Sequence, residues 1–251
     1  MQVKNYVKLT DEIVEFIRDY YQKNNLKGAV IGISGGKDSA VAAALFVKAL
    51  GAENVLGVTL PCESKDEDRV DALKISDYYN FEMVNIELTD TYKTFKRQIK
   101  QIGKFTDEET FNGDINLKPR LRMASLYYMA ALYSSIKGGT YIVAGTSNKC
   151  ELFVGYFTKG GDSVSDIKVL ANLSVRDVIK VGEVLNVPEE VLYKKPTDGI
   201  TEVSDEDKLG VTYMDIEKYM NGENLPLDVK EKIEKLHKKN LHKLVIPEFE
   251  L

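Results

Sequence analysis

The sequence predicts an α/β protein built on a parallel sheet with helices on both faces. Three observations predict it. Residues 28–50 read as a short apolar strand, a turn with two glycines, and a strong helix former. Apolar runs and helical stretches then alternate at lengths that suit right-handed βαβ units. Finally, 251 residues with 43% hydrophobic content can bury a full core as one large domain, expected to span residues 1–251.

The first strand is expected at residues 29–33 and its helix at 40–50, with Asp38 and Ser39 at the helix start. A helix N-terminus after a glycine turn is an anion site. Unpaired N–H groups and the positive dipole end point at one spot, and Gly35 and Gly36 let backbone approach a phosphate. A Walker A loop is excluded, because Gly36-Lys37 is followed by Asp38 and the position five before Gly36 is Ile31. No Gly-x-Gly-x-x-Gly is present either. The run Ser34-Gly35-Gly36-Lys37-Asp38-Ser39 instead resembles the pyrophosphate loop of the ATP pyrophosphatases. A carboxylate inside a phosphate loop makes sense beside a cation, so Asp38 reads as a magnesium ligand; the alternative is a structural turn that Asp38 caps.

Composition narrows the classes. A net charge of −5 gives no global attraction to nucleic acid, so no nucleic-acid partner is expected. Two cysteines far apart, Cys62 and Cys150, suggest a reducing compartment and no zinc cluster. The first residues lack a signal-like apolar core and no run reaches membrane-span length. A soluble cytoplasmic protein is expected.

Along the chain, a helix is expected to begin at Thr10 as N-cap, with Leu9 stapled to Val14 and Ile13, Ile17 and Tyr21 on one buried face. Residues 55–61 and 82–86 read as strands around a helix at 66–79. Such a sheet binds ligands at the carboxyl ends of its strands, where residues 62–68 form either a mobile lid or a solvated charge run. A charged helix at 89–103 and a less regular stretch at 104–114 precede a helix whose start Pro119 places near Asn116. From Leu121 to Tyr133 that helix is apolar on nearly every face, so its own domain or a partner subunit must cover it. Residues 140–144 read as a fourth strand. If it neighbours the first, Glu151 lies near the phosphate loop and completes a hard-oxygen magnesium site with Asp38; alone, such a Glu is a helix cap. Residues 153–166 form a polar, glycine-rich loop able to bind a nucleotide or a cation.

Five blocks in order carry a more specific resemblance. They are the loop at residues 34–39, Pro119-Arg-Leu-Arg-Met123, Gly145-Thr-Ser-Asn-Lys-Cys-Glu151, Gly155-Tyr-Phe-Thr-Lys-Gly-Gly-Asp162 and Asp205-Glu-Asp-Lys-Leu-Gly-Val-Thr-Tyr213. Together they resemble ammonia-dependent NAD synthetase over nearly the whole chain. The resemblance implies a Rossmann-like sheet of the adenine nucleotide alpha hydrolase kind, and ATP-dependent amidation of deamido-NAD with ammonia through an acyl-adenylate. It implies ATP contacts at Gly32, Ile33, Ser34, Gly35, Gly36, Lys37, Asp38, Ser39, Thr146 and Thr197, and magnesium on Asp38 and Glu151. Deamido-NAD would meet Arg120, Lys159, Asp166, His242 and Lys243. Asp162 would hold or deprotonate ammonium, Lys37 would be the other catalytic group, and the chain would be a homodimer.

Two departures stand out. Where the family usually has a lysine on the ATP phosphates, this chain has Val175; the adjacent Arg176 points about a quarter-turn away on a helix, and Lys37 could supply the charge. The tail after His242-Lys243 lacks the basic residues that often follow. Two rivals remain: another ATP-pyrophosphatase amide-forming enzyme, and a non-catalytic nucleotide-binding paralogue.

Overall fold

The computed structural model describes residues 4–64, 66–194 and 204–249. In chain order, the first half has α1 (Tyr6–Lys23), β1 (Leu26–Gly32), α2 (Lys37–Leu50), β2 (Val55–Thr59), α3 (Asp66–Tyr79), β3 (Glu82–Asn85) and α4 (Thr89–Ile102). Then come α5 (Asp107–Lys137), β4 (Thr140–Gly145), α6 (Lys149–Val154), the short β5 (Ile167–Lys168) and α7 (Val175–Val184). Helices α8 (Glu189–Leu192), α9 (Asp205–Leu209), α10 (Tyr213–Met220) and α11 (Leu227–Asn240) follow.

All described strands pair in parallel, in the order β3-β2-β1-β4-β5. β1 is central because it can be buried on both faces. Its side chains alternate, Ala29 and Ile31 entering one apolar cluster and Val30 another. The first cluster, with Phe46, Val14 and Val178, packs α1, α2 and α7 on one face. The second, with Met129, Ala130 and Tyr133, packs α5 on the opposite face. The expected two-faced sheet is what forms. A third cluster joins α6, α10 and α11 through Cys150, Val154, Tyr213, Ile216 and Ile233.

Two local expectations are corrected. Thr10 is not the N-cap of α1. Asn5 is, its side chain accepting the Lys8 N–H at 3.1 Å, while Leu9 lies inside the helix and Thr10 is buried, donating its hydroxyl to the Tyr6 carbonyl. Nor does Pro119 mark a helix start. It sits inside the 31-residue α5, which begins where Thr106 and Glu109 form a capping box. Having no N–H, Pro119 cannot supply the donor that the Ile115 carbonyl would otherwise receive. The packing of α5 along β4 and β1 outweighs that loss.

The all-round apolar character of α5 is only half satisfied within the chain. Met129, Ala130 and Tyr133 are buried, whereas Tyr128, Leu132 and Ile136 are exposed, as are Ile102, Phe105 and Phe111 nearby in sequence. Among the described residues no helix is long and apolar enough to cross a membrane.

The tightest backbone approach in the sheet is at Gly28. A Cβ there would lie 2.3 Å from the Tyr141 ring and 2.5 Å from the Asn54 carbonyl oxygen. Gly28→Ala is expected to destabilise the fold by about 1–3 kcal/mol, read as a lower urea midpoint with an unchanged slope.

Candidate active site

The phosphate loop forms as β1 ends and α2 begins. Gly36 is the N-cap of α2 and offers no side chain, so the first N–H groups of the helix are left open. Gly35 has φ 78°, the left-handed region that glycine enters without strain. Two serine hydroxyls set the turn: Ser39 Oγ donates to the Gly36 carbonyl at 2.9 Å and accepts the Ser34 N–H at 3.2 Å, while Ser34 Oγ accepts the Gly36 N–H at 3.3 Å. The loop is therefore shaped before any anion arrives. Helix α2 starts at Lys37, three residues earlier than its periodicity suggests, which puts Lys37 and Asp38 in the first turn.

β4 lies beside β1, so the segment after β4 reaches the loop as the sequence required. Asn148 is the joint. Its amide donates to Asp38 Oδ1 at 3.1 Å, its side-chain oxygen caps α6 by accepting the Cys150 and Glu151 N–H groups, and its own N–H donates to Glu151 Oε2 at 3.1 Å. Glu151 thus is a capping residue and also a wall of the cleft. Asp38 caps nothing, since the cap position belongs to Gly36. Burial, and then the charge of Asp38, hold the Glu151 carboxyl well above its usual range, against the pull of the Asn148 N–H and of Lys37. Lys37, only 7% exposed, approaches Asp38 Oδ2 at 3.3 Å. The two carboxylates are hard-oxygen donors of the kind magnesium takes, but among the described residues no group of three or more His, Cys, Asp or Glu side chains gathers to hold a metal.

These groups open into a cleft of about 720 Å³. Gly32, Ile33, Ser34, Gly36, Lys37, Asp38, Ser39, Thr146 and Glu151 line it; Gly35 does not. Opposite stands the loop carrying Asp162, whose Oδ1 accepts the Thr158 N–H at 2.7 Å. Asp162 is exposed to the cleft yet ringed by protein, and that burial pushes its carboxyl above the usual range, against the pull of backbone N–H groups and of Arg122 and Lys243.

The residues expected to meet deamido-NAD divide three ways. Lys243 lines the cleft, but its ammonium donates to the Gly155 and Phe157 carbonyls at 2.8 and 2.9 Å, bracing the loop before Asp162. Arg120, Lys159 and His242 come together outside the cleft lining. Arg120 Nη2 donates to the Lys159 carbonyl at 3.2 Å, and Lys159 Nζ to the His242 carbonyl at 2.9 Å. Asp166, itself outside the cleft lining, accepts the Val143 N–H at 2.8 Å and the Tyr127 hydroxyl at 3.1 Å, holding the end of β4 that lines the cleft. Thr197 lies outside the described residues.

Val175 opens α7 and packs into the third apolar cluster, while Arg176 faces Glu217 at 3.8 Å and does not line the cleft. Cations that do line it include Lys37, Arg69, Arg122, Lys194, Lys208 and Lys243. Sequence reasoning passed over Arg122 although it sits in a quoted block. Its two-residue offset from Arg120 turns it to a different helix face, which was the signal available. Lys194 and Lys208 follow no pattern that a single sequence reveals.

A parallel sheet with a phosphate-shaped loop and a carboxylate pair at its topological switch point defines an α/β nucleotide-binding protein. Comparison with known proteins makes this specific. Residues 9–247 match the model of the NAD synthase family, and the chain belongs to that family. It is 38% identical to the NH3-dependent NAD+ synthetase of Finegoldia magna, over 95% of this chain and 94% of that one. The enzyme of that name from Methanocaldococcus jannaschii is 35% identical, with 96% and 95% covered. Among solved structures, the NMN synthetase of Francisella tularensis superposes with a TM-score of 0.89 at 33% identity, covering 98% of this chain and 99% of that one. The NH3-dependent NAD synthetase of Campylobacter jejuni gives 0.77 at 27% identity, with 99% and 100% covered.

Proposed function

We propose that this chain joins ammonia to deamido-NAD at the expense of ATP, yielding NAD, AMP and pyrophosphate. It is a ligase forming a C–N bond. One observation carries the reading: the open N-terminus of α2, the Asp38–Glu151 pair and the Asp162 loop all face one cleft. Two rivals explain less. A different ATP-pyrophosphatase amide former leaves the Asp162 loop without a purpose. A non-catalytic nucleotide-binding paralogue leaves Asp162, which lines the same cleft, without a proton to accept.

The chemistry follows from what those groups can do. A carboxylate is a poor acyl donor because oxide would have to leave. Its oxygen attacks the α-phosphorus of ATP, pyrophosphate departs, and the acid becomes an acyl-adenylate. Ammonia then adds to the acyl carbon, AMP leaves with the C–O bond electrons, and a proton is lost from nitrogen. The loop N–H groups and Lys37 neutralise the departing pyrophosphate. Asp38 and Glu151 would hold magnesium, which when bound supplies further charge neutralisation there. Asp162 holds the incoming nitrogen and accepts its proton.

A second reading concerns the size of the acid. The strong likeness to an NMN synthetase, and the mutual engagement of Arg120, Lys159 and His242 outside the cleft, favour nicotinate mononucleotide as the carboxylate. Assays with each acid, ATP and ammonium decide between them. Deamido-NAD is expected to have the higher kcat/KM, and glutamine to replace ammonium poorly; a preference for the mononucleotide installs the second reading. We further propose a cytoplasmic homodimer in which the exposed face of α5 is covered by a second copy. Sedimentation at micromolar concentration is expected to show the dimer, and a fully active monomer would sink it.

Asp38→Asn and Glu151→Gln keep the bonds to Asn148 available but make poor ligands for a hard cation. Both are expected to melt near the wild-type temperature and to lower AMP formation at least roughly a hundredfold. The pH profile gives an independent check. Asp162 works as the anion, so activity at fixed free ammonia falls as pH drops through its pKa. Because that pKa is raised, the acid limb is expected above the ordinary carboxylate range, and Asp162→Asn should lose the activity itself.

A further inference from the structure

The loop after β2 leaves the sheet at the cleft, and Leu60, Pro61 and Ser64 line it. Its conformation is imposed from outside. Glu63 has φ 54°, a left-handed value that costs a residue with a Cβ roughly 1 kcal/mol and persists only where neighbours over-determine it. Those neighbours are identifiable. Thr89 Oγ1 accepts the Glu63 N–H at 2.9 Å, and the Leu88 N–H donates to the Pro61 carbonyl at 2.8 Å.

The other ties come from α5, as two cations one turn apart. Lys118 Nζ meets Glu63 Oε2 at 2.9 Å and lies 5.1 Å from the centre of the Tyr92 ring. Arg122 Nε donates to the Leu60 carbonyl at 3.1 Å, and its Nη2 to Ser64 Oγ at 3.4 Å. Ser64 Oγ in turn accepts the N–H of Cys62, a fully buried residue of the same loop. Lys118 is 5% exposed and does not line the cleft. A packing role alone would be met more cheaply by Met or Leu, since a buried ammonium is costly unless paired. Among the described residues the carboxylate its charge meets is Glu63, which belongs to the cleft loop.

We propose that Lys118, through Glu63, and Arg122, through Leu60 and Ser64, form a clasp on α5 that fixes the cleft loop in the shape that receives ATP. Lys118 is a positioning residue, acting on the nucleotide through Glu63. This rests on the cleft being an ATP site. Helix α5 makes the clasp stiff, because the same stretch also grips the opposite wall: Asn116 Oδ1 accepts the Thr158 hydroxyl at 2.8 Å.

The test is calorimetric titration of ATP with magnesium into the full chain. Lys118→Met keeps the buried stem and removes the charge, while Glu63, 41% exposed, is hydrated once released. The ATP dissociation constant is expected to rise about tenfold, with affinity for the carboxylate substrate unchanged and Lys118→Arg restoring most of the loss. Glu63→Gln should weaken ATP similarly, and the double variant should be no worse than either single one, as for two halves of one contact. ATP affinity within about twofold of wild type in Lys118→Met overturns the proposal, as does an equal loss for both substrates, which would mark general loosening. If Lys118→Met does not fold, Glu63→Gln decides alone by the same criteria. Failure of the unaltered protein to bind ATP would instead strike the functional reading beneath it.

Discussion

β1 and β4 run side by side, yet the chain visits β2 and β3 between them. This adjacency is the constraint on which the site depends. Connections leave the two strands toward opposite edges of the sheet, so a crevice opens between their carboxyl ends. Into it project the start of α2 from one strand and the start of α6 from the other. The start of α2 offers an anion its open N–H groups, whereas the first N–H groups of α6 are already taken by the Asn148 side chain and the Leu173 carbonyl. Asn148 turns this coincidence of topology into fixed geometry, bonding to Asp38 and to Glu151 at once.

The electrostatics of the crevice are those of a place waiting for charge. Glu151 is held toward its neutral form by burial and by Asp38, while Lys37 is one buried cation between several carboxylates. Among the described residues the cations lining the cleft lie on its walls, whereas Val175 packs into an apolar cluster and offers no charge. A family pattern with a lysine there concentrates that charge at the start of α7. Here that position is the apolar Val175, packed against the cluster that holds Tyr213 and Cys150, and the cleft-lining cations come from segments distant in sequence.

Legibility from sequence followed the range of the forces involved. The strand–turn–helix unit at residues 28–50 was legible because its signals are local: an apolar run, two glycines, a strong helix former. The Asp38–Glu151 pairing was legible only conditionally, since it required β4 to neighbour β1. The start of α5 was misread because Pro119 is a strong local signal, whereas the helix is held by long-range packing on the sheet and by the Thr106–Glu109 box. Thr10 was misread as a cap because Ser and Thr hydroxyls serve equally well inside a helix, bonding back to a carbonyl. The self-contained group of Arg120, Lys159 and His242 spans more than 120 residues of chain. Nothing in their spacing announces it.

The misreading of α5 conceals what the helix does. Were it to start near Asn116, its first turn would fray at the cleft, and the residues from Asn116 to Arg122 would hold neither wall firmly. Starting at Asp107 instead, it has already completed more than two turns before reaching the cleft. Pro119 interrupts the hydrogen-bond ladder there, between two positions that grip the loop after β2 and beside one that grips the Asp162 loop. Farther along, the same helix bears the exposed Tyr128, Leu132 and Ile136. A second copy seated on that face would press on a helix that touches both the loop after β2 and the Asp162 loop.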